Sequence, residues 1–123
     1  MQAVVRFLRT TMLWIVLLPY ALIFLGAASN QAVIYANGDR FPVLMNTEKV
    51  TYVLDDDGSG MLDEIHCLMT PQTHLNLMAD IFDFGAAGIW SIGDLMLAAG
   101  SWLGTFVWFV WGSLVVMRLR ENG

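Results

Sequence analysis

The residues best suited to chemistry stand together at Asp55-Asp56-Asp57-Gly58-Ser59-Gly60-Met61-Leu62-Asp63. Their spacing resembles the first nine positions of a calcium loop. Asp55, Asp57 and Ser59 would supply side-chain oxygens, Gly60 the sharp turn, Met61 a carbonyl and Asp63 the ninth position. The pattern breaks where the bidentate glutamate belongs, because His66 stands there and a neutral imidazole is a poor ligand for a hard cation. The segment before the loop is also β-like in place of a helix. A solvated acidic turn is the simpler reading, and calcium is kept as an alternative. His66 and His74, with Asp80 or Asp83, could form a transition-metal or acid–base site, but their spacing matches no compact ligand motif. There is no nucleophile elbow, phosphate loop or HExxH helix. The expectation is a protein that is not an enzyme and holds no cofactor, calcium excepted.

What would position these residues is a pair of apolar runs. Leu95 to Met117 is 23 residues without a charge, stopped by Arg118 and Arg120. Thr10 to Ala28 is 19 residues without a charge. A hydrocarbon core of ~30 Å takes roughly 20 helical residues to cross, and in lipid a lone segment satisfies its backbone only as a helix. Two spans account for a composition that is 57% hydrophobic with a mean hydropathy of +0.60. The remaining middle is too short for a large self-sufficient core.

Charge is partitioned along the chain. The ends carry Arg6, Arg9, Arg118 and Arg120 against Glu121, whereas the middle sets Arg40 and Lys49 against ten carboxylates. Arginines beside both spans retain both ends in the cytoplasm. The sequence thus predicts an inner-membrane protein of two transmembrane α-helices flanking a small α+β extracytoplasmic domain. Residues 1–9 form a cytoplasmic N-terminus, 10–28 the first transmembrane helix, 29–93 the outer domain, 94–117 the second transmembrane helix and 118–123 a cytoplasmic end. An acidic middle argues against nucleic acid as a partner. The first span, ending in Gly26-Ala27-Ala28, also resembles a cleavable signal peptide; its length favours an uncleaved anchor. The single cysteine, Cys67, excludes an intramolecular disulfide and reads as a buried small side chain, with an intermolecular bridge as the alternative.

Within the middle, Asn37-Gly38 between apolar runs predicts a hairpin over 31–44, with Pro42 holding its second arm at a sheet edge. Lys49 to Leu54 reads as a strand, Met61 to Met69 as a short helix, and Pro71 to Phe84 as a helix capped by Thr70 and closed by Gly85. Pro19 should kink the first span. Asp94 stands where a carboxylate caps free amides at the start of the second helix. Gly100 and Gly104, flanked by Ser101 and Thr105, form a small-residue face that lets another helix approach, whether the first helix, a second copy or a foreign subunit.

Three stretches carry a resemblance. They are Asn37-Gly38-Asp39-Arg40-Phe41-Pro42-Val43, then Thr73-x-Leu75-x-x-Met78-x-Asp80, then Ser91-Ile92-Gly93-Asp94. In this order they resemble an uncharacterised family of small bacterial and phage-associated membrane proteins, a domain of unknown function. Asp39 and Phe41 depart from that family's pattern, which has Gly and Met there. The resemblance implies that Asn37, Gly38, Arg40, Pro42, Thr73, Asp80, Ser91, Gly93 and Asp94 form one polar patch beside the membrane, and it implies no activity. Arg40 could pair with Asp80 or Asp94. The function expected is a non-enzymatic accessory or partner-binding protein. Its partners would be the bilayer and another membrane protein or a second copy of itself. The alternative is a phage-type membrane effector acting in superinfection exclusion or lysis.

Overall fold

The computed structural model describes residues 2–45, 62 and 64–121. The order of elements is α1 (Gln2–Ala36), β1 (Phe41–Val43), β2 (His66–Leu68), β3 (Phe82–Asp83), β4 (Ile89–Trp90) and α2 (Ile92–Glu121). Both helices are long and apolar enough to cross a membrane, with a small strand region between them. The chain divides into two compact units, Met1–Phe24 with Met96–Gly123, and Leu25–Leu95.

In the first unit α1 and α2 meet through small residues. A Cβ at Gly100 would lie 2.7 Å from the Pro19 carbonyl oxygen and 2.8 Å from Ile23 Cγ1. At Gly104 it would lie 3.5 Å from Pro19 Cβ. Only a residue without a side chain lets the two backbones approach this closely. Trp108 Nε1 donates to the Tyr20 hydroxyl at 3.0 Å. Ser101 and Thr105 stay exposed and donate back to their own helix, to Leu97 O at 2.8 Å and Ser101 O at 2.9 Å. The expected small-residue face is thus divided: its glycines lie against α1, and its hydroxyls are satisfied within α2. Pro19 is buried inside α1 without ending it. Most other large side chains here are exposed, Trp102 by 78%, Phe24 by 73% and Phe109 by 72%.

In the second unit α1 continues past the expected end of the first span, through Ala36. It then stops by a C-terminal capping motif. The Asp39 N–H donates to Ile34 O at 3.1 Å, with Gly38 at φ 63° and Asp39 at φ 64°. This is the six-to-one bond of a Schellman cap, with glycine in the left-handed position. The hairpin expected over 31–44 is therefore absent. An Asn-Gly pair serves a hairpin turn and a helix stop by the same tolerance of positive φ, and the apolar Ala32 to Ala36 run continues the helix.

β1 and β2 pair in parallel, Phe41 with His66, Pro42 with Cys67 and Val43 with Leu68. On the other side of β1, Val43 bridges to Asp80, with Asp80 N donating to Pro42 O and Leu44 N to Asp80 O. Pro42 is therefore flanked on both sides and not at an edge. The N–H it lacks would have faced the Asp80 side, where pairing is a single bridge. The helix expected over 61–69 is replaced at its end by β2. The helix expected over 71–84 is broken into a 3₁₀ turn at Asn76–Met78, an extended stretch and β3. Leu75 adopts φ 56°, and Thr73 and Asn76 spend their side chains on the Thr70–Thr73 turn, Asn76 Nδ2 reaching Thr70 O at 3.3 Å. Pairing of Asp80 with β1 then draws the chain straight. Gly85, expected to close that helix, sits instead at φ 63° at the tip of the β3–β4 hairpin. The strand expected at 49–54 and the calcium-like residues Asp55, Asp57, Ser59 and Asp63 lie outside the described residues.

Among the described residues the core of this unit is small. Val33, Phe41 and Ala79 are buried together, and Ile34, Met69 and Met78 pack against them. It forms around the last turns of α1.

The glycine contacts predict opposite outcomes along α2. Gly100→Ala should lower stability by ~1–3 kcal/mol through overpacking, because backbone atoms of Pro19 and Ile23 cannot move aside. Gly112→Ala, which meets nothing within 4 Å, should be neutral or stabilising by up to ~1 kcal/mol. Thermal unfolding in detergent, followed by circular dichroism, reads both.

Candidate functional site: polar knots around the start of α2

The segment Ser91-Ile92-Gly93-Asp94 builds the start of α2. Ser91 caps it: the Asp94 N–H donates to Ser91 Oγ at 2.9 Å, and the Ser91 N–H donates to Asp94 Oδ2 at 3.0 Å. This is a reciprocal capping box with aspartate in place of glutamate. Asn30, on α1, completes it. Its Nδ2 donates to Asp94 Oδ1 at 2.8 Å. Ser91 Oγ lies 2.9 Å from Asn30 Oδ1 and 2.8 Å from Asp94 Oδ2, and its one proton serves one of the two. Ser91 is fully buried. A Cβ at Gly93 would overlap Asn30 Oδ1 and lie 2.7 Å from Gly26 O, so glycine is required for the knot to close.

A second knot holds the end of α1. Asn37 Nδ2 donates to Val33 O at 2.8 Å and to His74 O at 2.9 Å, while its Oδ1 accepts from the His74 N–H at 2.8 Å. The asparagine side chain thus pairs with both backbone groups of His74 as a strand residue would. Next to it, Thr73 Oγ1 lies 2.7 Å from both Thr70 O and Asn76 Oδ1.

Asp80 takes part in neither knot. Its carboxyl is buried and Oδ1 has no hydrogen-bond partner; Ser29 Oγ is in the same condition. Burial pushes the Asp80 pKa up from 3.8 to about 6. The negative charge of Asp94 adds to the rise, and His66 partly offsets it. A group of this kind exchanges a proton near neutral pH. Arg40 is exposed and, among the described residues, forms no ion pair with Asp80 or Asp94. Its charge is felt instead at Cys67, a buried thiol whose pKa burial raises and Arg40 partly lowers. Burial on β2 keeps that thiol away from an intermolecular bridge.

The nine residues expected to share one patch are therefore distributed. Ser91, Gly93 and Asp94 form one knot, Asn37 and Thr73 belong to another, Pro42 and Asp80 meet backbone to backbone, and Gly38 and Arg40 are exposed. Asn30 was missed by the sequence reading. Its signal is that it follows the charge-free run as the first amide side chain. His66 stands edge-on to Phe41, with ring centroids 6.1 Å apart. Among the described residues no group of three His, Cys, Asp or Glu side chains could hold a metal ion.

The sign of the Asp80 effect follows from its raised pKa. Below about 4 both folded and unfolded chains hold the proton and no penalty exists; as pH rises through about 6 the folded chain must ionise a buried carboxyl, and stability is lost. At ~1.4 kcal/mol per pH unit between the two values, and allowing for partial hydration, the loss is of the order of 2 kcal/mol. Asp80→Asn should abolish it. The stability difference between variant and parent, measured by thermal unfolding, should be near zero at pH 4 and favour the variant at pH 7.5.

No curated protein and no solved structure matches the chain. Residues 3–108 match the profile of a family of unknown function, DUF5317. The match takes in β1–β4 and both polar knots, with all but the last turns of α2. The chain belongs to this family.

Proposed function

We propose that the protein is a non-enzymatic integral membrane protein of the inner membrane. In this reading α1 and α2 cross it as a pair with both ends cytoplasmic, and residues 29–93 form an extracytoplasmic contact surface for another membrane protein. One observation carries the reading. The long helices leave Trp102, Phe24 and Phe109 more than 70% exposed, which water does not tolerate as a continuous surface and lipid does. The arginines flanking both apolar runs support the orientation.

The role as a partner-binding protein follows from what is left over. Gly100 and Gly104 are used against α1, so contact with a partner falls to the outer region. That region is strongly acidic and exposes Tyr35 and Leu77. The chemistry fits a basic partner surface with apolar recesses. Most of its polar side chains described above are spent on holding the fold, which favours recognition over catalysis.

Purification of the tagged full chain from its native membranes in mild detergent tests this. The expected result is one partner at stoichiometric yield, released as salt is raised from ~0.1 to 1 M, because screening shortens the Debye length from ~10 to 3 Å. Recovery of the chain alone, or only with itself, contradicts the reading.

A further inference from the structure

The nine residues from Phe82 to Trp90 contain one charge, Asp83. They close on themselves as a hairpin. Phe82 pairs with Trp90 and Asp83 with Ile89. The Phe84 N–H donates to Gly88 O at 2.9 Å, and Trp90 Nε1 to Ala87 O at 2.8 Å. The Phe84 and Trp90 rings meet edge-on with centroids 5.7 Å apart. The Asp83 carboxylate accepts from the Gly85 N–H at 2.8 Å. The tip, Phe84-Gly85-Ala86-Ala87-Gly88, carries no polar side chain, and all five residues are exposed.

This apolar tip is tied to a definite place. Trp90 precedes Ser91, the cap of α2, and the charge-free run of 23 residues opens at Leu95, one helical turn later. At ~1.5 Å per residue that run is roughly 34 Å long, the thickness of a hydrocarbon core. Gly88 is three residues from Ser91, within about 10 Å even if extended, and Phe84 is held to Trp90 by ring contact. If α2 spans the bilayer, Gly88 therefore stays within about 16 Å of the end of the charge-free run, in reach of the headgroup layer. From Asp80 to Asp94 the only charges are Asp80, Asp83 and Asp94, so attraction to anionic lipid does not contribute. An aromatic pair and an uncharged tip suit the interfacial zone of a neutral bilayer.

We propose that the hairpin tip at residues 84–88, with Phe84 and Trp90, is an interfacial anchor that rests among zwitterionic phospholipid headgroups at the outer face. The inference depends on the membrane-spanning reading of α2. It adds a lipid contact to the outer domain next to the start of α2.

The test is spin labelling of the full chain in phosphatidylcholine vesicles. Single cysteines are placed by Ala86→Cys, Gln72→Cys and Trp102→Cys in a Cys67→Ala background. If that background does not fold, Cys67 is kept, since it is buried, and labelling of the parent chain is subtracted. Collision with oxygen relative to a water-soluble nickel chelate reports depth. The ratio at position 86 should exceed that at position 72 by roughly threefold or more and stay below that at position 102, as expected for interfacial depth. A ratio at 86 equal to that at 72 overturns the anchor and leaves the spanning reading intact. Protection of 86 from both reagents overturns it too, because protein then covers the tip. A water-like ratio at 102 overturns the anchor together with the spanning reading.

Discussion

The opening amides of an α-helix have no partner inside it, and α2 opens against α1, where water has little access. Everything else in the unit Leu25–Leu95 depends on how that constraint is met. Ser91 and Asp94 satisfy each other's backbone N–H, and Asn30 reaches across from α1 to fill the remaining carboxylate oxygen. Gly93 removes the one Cβ that would hold the helices apart. The four residues work as a unit. Losing one partner leaves a buried polar group unpaired, a cost of about 1–3 kcal/mol.

With α1 and α2 joined there, the last turns of α1 serve as the post around which the rest of this unit is wrapped. Among the described residues its buried apolar cluster is Val33, Phe41 and Ala79, with three partly buried neighbours, and Val43, Cys67 and Leu68 are buried on the strands. A core of that size cannot order such a loop-rich segment alone. Directed polar contacts supply what burial does not. Asn37 pairs with the backbone of His74 on both edges of its amide, and Thr70 and Thr73 lock the turn that precedes it. Asp80 is the exception. Its backbone joins β1, and its carboxyl is carried into the interior without a hydrogen-bond partner on Oδ1. That tension is what makes it proton-sensitive.

The parts of this arrangement that the sequence made legible are those set by a long run or by a position on a helix. The two apolar runs are long enough to be read as long helices, and both are helices. Asp94 stands where a carboxylate meets the opening amides of a helix, and Gly100 and Gly104 stand at helix-contact spacing. The readings that failed rested on short signals that serve two structures equally. Asn37-Gly38 supplies positive φ, which a hairpin turn and a helix stop both need. Here Gly38 and Asp39 take it at the end of α1. The apolar spacing of Leu75, Met78, Ile81 and Phe82 fits a helix, yet Asp80 is claimed by β1 and Phe82 by β4. Long-range strand pairing outbids local periodicity, and no single-sequence pattern announces it. Asn30 went unread because its partner stands 64 residues away.

The central claim is that two helices cross the membrane with the knots and strands on the outer side. Labelling of single cysteines with a membrane-impermeant thiol reagent tests it most directly, using Gln72→Cys and Glu121→Cys in the full chain with Cys67→Ala. The account predicts that position 72 reacts in intact cells freed of their outer barrier, and that position 121 reacts only after the membrane is opened. Equal reactivity of both positions before opening, or recovery of the protein in the soluble fraction, contradicts it.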